Sequence, residues 1–275
     1  MQPHPIVSRE EWIAARKAHL AHEKEYTKAR ERLNEERRAL PWVKVEKDYV
    51  FDGPNGKMSL GDLFRGRSQL VVQHLMFAPD WNEACKSCSF WADGFERMIP
   101  HLAARDTAMV GISRAPLQKL ASFKQRMGWT FDWLSSGGNE FNYDFGVSFT
   151  SEQLKSGATP YNFGTTPFGG EEAPGISVFY RDEAGNIFHT YSCFSRGLDM
   201  MNAAYHYLDL TPLGRHEEGL PYPMDWVRLR DQYQPSQVQA SCCHSLISCR
   251  HSGAMRQHRT RNLEIPGLVL RTIPE

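Results

Sequence analysis

No sign of charge prevails in this 275-residue chain: 32 Lys and Arg stand against 32 Asp and Glu. A broad electrostatic draw toward nucleic acid or an anionic membrane surface is therefore not expected. Long apolar runs are absent too, and none approaches the roughly 18 residues of a membrane span. The opening MQPHPIVSREEW lacks a basic segment followed by an apolar one, so it does not read as a secretory leader. The expected compartment is the cytoplasm. Cysteine is scarce, with six in all, and thiols in that compartment stay mostly reduced. Glycine and proline are missing from Arg9 to Ala39, which removes the usual breakers from that stretch.

With 41% hydrophobic and 23% charged residues, the composition suits an ordinary globular core. Ser8 and Glu11 form a capping-box pattern ahead of a run rich in Glu, Lys, Arg and Ala. A long charged helix is predicted there, closed by Pro41. Its sparse apolar residues are Trp12, Ile13, Leu20, Tyr26, Leu33 and Leu40. Two readings follow: a solvated helix lying along the domain by that thin stripe, or an arm that pairs two copies of the chain.

Short strands are expected around the D-G-P-N-G turn at Asp52 to Gly56, and a helical turn at Ser59 to Phe64. QLVVQHLMF (Gln69 to Phe77) reads as a buried strand, and helical spacing runs from Cys88 to Ala104. TAMVGIS (Thr107 to Ser113) is a second buried strand, and Pro116 to Met127 a helix. Gly137 to Gly170 reads as ordered loops. Gly175 to Tyr180 and Asn186 to Tyr191 form a hairpin, and Leu198, Met201, Tyr205 and Leu208 share one face of a last helix. The order βαβα, ββ, α argues for a sheet with crossover helices. Residues 1–40 form an N-terminal helical arm and 41–233 the α/β domain. Residues 234–275, holding half the cysteines and little apolar periodicity, read as a poorly ordered tail.

NEACKSCSFW (Asn82 to Trp91) carries a C-x-x-C where a buried strand gives way to a helix. Free amides and the dipole at a helix start favour a thiolate, and a thiol three residues on lies within disulfide reach. Cys85 is therefore the expected attacking thiol and Cys88 the resolving one. Lys86 adds a cationic neighbour, and Trp81, Asp80 and His74 are candidates for controlling access or moving protons. His74 has a plainer reading as a hydrogen-bonded core residue, and Cys193 as a buried small side chain. Asn142, Tyr143, Tyr161 and Phe163 are candidates for the floor of a cleft. A structural zinc site wants four ligands, and no second C-x-x-C or H-x-x-x-H lies in the domain. No cofactor and no metal are expected.

The blocks SREEWIAARKAHLAHEKE, LPWVKVEKDYVFDGPNGKMSLGDLF, RSQLVVQHLMFAPDW, CKSCSFWAD, FNYDFGVSFT, PGISVFYRDEAGNIFHTYS and GLPYPMDWVR make the chain recognisable. Over roughly residues 4–234 it resembles the bacterial family DUF899, a domain of unknown function. Members of that family are often labelled predicted dithiol–disulfide oxidoreductases. The resemblance implies a thioredoxin-like α/β fold, a central mixed sheet flanked by helices. It also implies a dithiol–disulfide oxidoreductase acting on a protein or small-molecule disulfide, supplied by an unidentified electron donor. The W-C-G-P-C of thioredoxin is not present, since Ala84, Lys86 and Ser87 replace Trp, Gly and Pro. The fold implies a cis proline facing the cysteines, for which Pro174 is the candidate.

FDWLSSGGNEFNYDFGV is similar to a region of peroxiredoxins, which makes a thiol peroxidase the runner-up. Those enzymes place Thr or Ser three residues before the attacking cysteine, where this chain has Asn82. A metal-binding module and a redox-inactive interaction protein are further alternatives.

Overall fold

The first helix, α1 (Arg9–Arg38), starts where its capping box dictates. The Ser8 hydroxyl accepts from the Glu11 amide at 3.2 Å, and the Glu11 carboxylate accepts from the Ser8 amide at 2.9 Å. None of its 30 residues is buried. The apolar stripe does not lie along the domain as one reading expected: Trp12, Leu20, Tyr26 and Leu33 are all exposed. Sparse apolar residues among so many charges leave too little area to hold a helix down.

The computed structural model describes residues 4–165 and 167–234. The tail expected beyond these lies outside the described residues. Past α1 come strands β1 (Val43–Lys44), β2 (Val50–Gly53), β3 (Gly56–Ser59) and β4 (Gln69–His74). Next are helices α2 (Lys86–Phe95) and α3 (Ile99–Ala103), strand β5 (Thr107–Ser113), helix α4 (Leu117–Met127) and strand β6 (Trp133–Ser135). Short helices α5 (Phe141–Asp144) and α6 (Ser151–Ser156) precede the hairpin of β7 (Gly175–Arg181) and β8 (Ile187–Phe194), and α7 (Ala203–Asp209) follows it.

The strands form one sheet in the order β1-β8-β7-β4-β5-β6-β2-β3. β4, β5 and β6 run parallel, joined by crossovers through α2 and α4, as strand–helix–strand units require. The β7–β8 hairpin adds on the other side of β4, antiparallel to it. Parallel βαβ units with an antiparallel hairpin beside the first core strand make this a thioredoxin-like fold.

Three expected elements differ. The helix expected from Cys88 to Ala104 begins earlier, at Lys86, and breaks after Phe95 into a tighter turn and α3; Pro100 has no amide to continue the ladder. The last helix is interrupted at Asn202, whose side chain accepts from the Ala204 and Tyr205 amides and so caps α7 anew. The loop region between Gly137 and Gly170 contains α5 and α6.

The core has two faces. Phe51, Leu70, Val72, Ile112, Phe141 and Phe179 fill one, and Leu75, Cys88, Phe95, Leu120, Trp129 and Trp133 the other. Gly111 makes the second possible: a Cβ there would lie 3.1 Å from Phe131 and Trp133 and 3.2 Å from Leu75. Side chains alternate along β4, so its even-numbered residues face the first layer and its odd-numbered ones the layer holding α2.

Candidate active site

Cys85 is the N-cap residue of α2. Its own amide donates to the Met76 carbonyl at 3.0 Å, fixing the helix start against the chain leaving β4. Its carbonyl accepts from the Ser89 amide at 3.0 Å and the Ser89 hydroxyl at 2.9 Å. The cap position leaves the thiol partly exposed, while Cys88, one turn in, is buried and takes the Met76 amide on its sulfur at 3.4 Å. Both are free thiols.

Their environments push the two thiols apart. A hydrogen bond from the Cys88 side chain is the largest influence on Cys85 and lowers its pKa to about 6. Burial opposes that shift, and the backbone amides of Cys88 and Ser87 with the Ser87 hydroxyl reinforce it. Cys88 is raised well above the usual thiol range by the same bond and by burial. One proton is thus shared unequally: Cys88 keeps it and donates it toward Cys85.

A cavity of about 230 Å³ opens over the pair. Its lining includes Gln73, Met76, Ser87, Trp91, Tyr161, Phe168, Pro174, Leu198 and Met224. Trp91 follows Cys88 by three residues and shares its helix face. The Tyr161 hydroxyl donates to the Pro174 carbonyl at 3.1 Å and accepts from the Ser195 amide at 2.8 Å, tying two walls together. Ser195 has φ +50°, a left-handed conformation that a serine adopts only when held. Gly175, next to Pro174, lets β7 pack tightly outside the cavity: a Cβ there would lie 2.9 Å from Phe194 and from Val147.

The structure distributes the other candidates widely. Pro174 lines the cavity, but its peptide bond is trans, since no described residue follows a cis bond. Trans is the lower-energy isomer for X-Pro. Lys86 lies beside Cys85 in sequence, yet its ammonium donates to the Asp225 carbonyl at 3.0 Å and sits over the Tyr222 ring at 6.0 Å. It is not among the influences that lower Cys85.

His74 is buried on the far face of β4, against Phe141 and Phe145. Its Nε2 pairs with the Ser177 hydroxyl at 3.0 Å, and Nδ1 has no partner. Burial, aided by His189, lowers its pKa to about 3. It therefore does not border the thiols, contrary to a supporting role.

Trp81 packs in the layer that holds Cys85, and its Nε1 donates to the Glu171 carboxylate at 3.1 Å; it does not line the cavity. Asn82, three residues before Cys85, is exposed. Tyr161 alone of the four residues suggested for a cleft floor lines this cavity, while Asn142 is buried and accepts from the Ser136 hydroxyl at 2.8 Å. Cys193 is buried, and burial pushes its thiol up to about 11. Among the described residues, no group of three or more His, Cys, Asp or Glu side chains is placed to hold a metal ion.

Other residues of the site carried no sequence signal. Leu198, Met224 and the Ser195 turn reach the cavity from segments more than a hundred residues beyond the cysteines. A buried carboxylate, Glu172, anchors the loop leading to Pro174 by accepting from Arg114 at 2.6 Å and Ser148 at 2.8 Å. Burial is the main influence on Glu172 and raises its pKa to about 7.

Comparison with known proteins gives low-identity structural neighbours. Peroxidoxin BcpB from Mycobacterium tuberculosis is 17% identical, with 61% of this chain and 96% of that one covered at a TM-score of 0.40. Peroxiredoxin Q from Xanthomonas campestris is 12% identical, covering 57% and 86% at 0.40. The hypothetical protein SMc02350 from Sinorhizobium meliloti is 13% identical, covering 54% and 69% at 0.34. No curated protein matches the chain. The model of DUF899, described as a bacterial protein of unknown function, matches residues 1–233, and the chain belongs to that family.

Proposed function

We propose that this protein is a dithiol–disulfide oxidoreductase in which Cys85 attacks and Cys88 resolves. The observation that carries this is the unequal thiol pair at the start of α2 beneath an open cavity. A thiol with a pKa of about 6 is mostly thiolate at neutral pH, and the thiolate is the nucleophile. It attacks one sulfur of a disulfide R–S–S–R, forming Cys85–S–S–R and expelling R–S⁻. That thiolate takes up the proton Cys85 released on ionising. Cys88 then attacks the Cys85 sulfur and passes its own proton to the second departing R–S⁻. The products are two thiols and a Cys85–Cys88 disulfide. The runner-up, a thiol peroxidase, has no hydroxyl residue three positions before Cys85, where the exposed Asn82 stands.

Trapping tests the division of labour. Cys88→Ser protein incubated with a disulfide should accumulate the mixed disulfide at Cys85, visible by intact-mass spectrometry. Cys85→Ser should form none. Accumulation on Cys88 instead would reverse the roles, and adducts on neither would remove the proposal.

A further inference from the structure

We infer, resting on the oxidoreductase reading above, that the disulfide reduced at Cys85 is a small molecule with apolar substituents and not a disulfide of a folded protein. The cavity decides the size. Its volume of about 230 Å³ lies below the roughly 300–1,000 Å³ of sites for drug-sized ligands. It holds one disulfide with short substituents. A protein disulfide brings two backbone segments with it, and these would have to enter the same recess to meet the partly exposed Cys85.

The walls decide the chemistry. Trp91, Tyr161, Phe168, Pro174 and Met224 present rings and a thioether to the cavity. The polar ends of the two hydrogen-bonding aromatics are already engaged by the protein. Trp91 Nε1 donates to the Leu198 carbonyl at 2.8 Å, and the Tyr161 hydroxyl is taken by Pro174 and Ser195. Of the charged lining residues, Asp199 is paired with Arg196 at 2.8 Å and with Arg215, outside the lining, at 2.8 Å, and Arg196 turns most of its side chain to solvent. A charged or strongly polar substituent would lose water and find Trp91, Tyr161 and Asp199 already engaged. An apolar one gains by leaving water.

One disulfide bond breaks in the small molecule, one forms between Cys85 and Cys88, and two small thiols leave. No further reductant is needed for a single turnover of the reduced protein.

The test is single-turnover oxidation of the pre-reduced full chain by di-n-propyl disulfide, dithiodiacetate, oxidised glutathione and insulin. Each rate is divided by that of the same disulfide with a free monothiol, which removes intrinsic reactivity. Normalised this way, di-n-propyl disulfide should react at least about tenfold faster than each of the others. Met224→Trp, which fills the recess, should slow it about tenfold while the thiolate absorbance of Cys85 titrates unchanged. Phe168→Ala, a second and milder change, should raise the rate with longer dialkyl disulfides. Equal normalised rates for insulin or dithiodiacetate would overturn the substrate class and leave the oxidoreductase reading intact. A protein in which no disulfide links Cys85 to Cys88 would overturn both.

Discussion

His74 shows what a single buried side chain implies for the protein's response to acid. It is enclosed by Phe141 and Phe145, accepts no charge partner, and is held neutral down to a pKa of about 3. In the unfolded chain the same ring protonates near 6.5. The native state therefore binds fewer protons over that interval. Its stability from this group is complete above 6.5 and is lost as pH falls from 6.5 toward 3, at about 1.4 kcal/mol per pH unit. By pH 5 the loss reaches about 2 kcal/mol. Denaturant unfolding at pH 7.5 and pH 5 should show wild type losing about 2 kcal/mol more than His74→Gln. Equal losses would mean that another group carries the acid sensitivity.

Residue by residue, legibility followed locality. Cys85 and Cys88 could be placed because a spacing of three at a strand-to-helix junction is a local fact. The side on which His74 lies could not: QLVVQHLMF is too apolar on both faces to show which residues turn toward α2. The direction of Lys86 is set by a carbonyl at Asp225, 139 residues away. The trans bond before Pro174 is the default for an X-Pro peptide, and the cis expectation came from the resemblance and from no local pattern.

At the scale of elements, α1 stands apart. Its capping box and its lack of breakers account for its length. They do not account for the exposure of Trp12, Leu20, Tyr26 and Leu33. Its last turn meets the domain, where Arg37 stacks over the Tyr191 ring at 4.9 Å. We propose that a second copy of the chain covers the stripe. Sedimentation of the full chain should then show a concentration-dependent dimer. Leu20→Glu with Leu33→Glu should give a monomer whose melting temperature lies within a few degrees of the dilute wild type, because neither side chain is buried. A wild type that stays monomeric at high concentration would contradict the arm. The strands β4, β5 and β7 and helices α2 and α4 were readable from apolar runs and helical spacing. β6 was not, because its three residues are too few to establish a period. The α7 cap at Asn202 likewise lay hidden inside the span from Leu198 to Leu208 that read as one helix.

For the molecule as a whole, the thioredoxin-like sheet brings distant segments to the end of β4 where α2 begins. The chain leaving β4 supplies Met76, the loop before β7 supplies Phe168 and Pro174, and the segments after β8 supply Ser195, Leu198 and Met224. The fold class was legible from the order of elements, whereas the cavity was not, because its walls are assembled only by tertiary contact. No described helix is long and apolar enough to cross a membrane.

In the proposed mechanism Cys88, and not Lys86, makes Cys85 the nucleophile. This activation is tested most directly by the rate of iodoacetamide labelling of Cys85 as a function of pH in wild type, Cys88→Ala and Lys86→Ala. Wild type should label along a single titration centred near 6, fast above it and slow below, because only the thiolate reacts. Cys88→Ala removes the donated hydrogen bond and should move the midpoint upward, toward the roughly 8.5 of a free cysteine. Lys86→Ala should leave the midpoint where it is. A wild-type midpoint near that of free cysteine, or an upward shift in Lys86→Ala with none in Cys88→Ala, would mean that Cys88 does not activate Cys85.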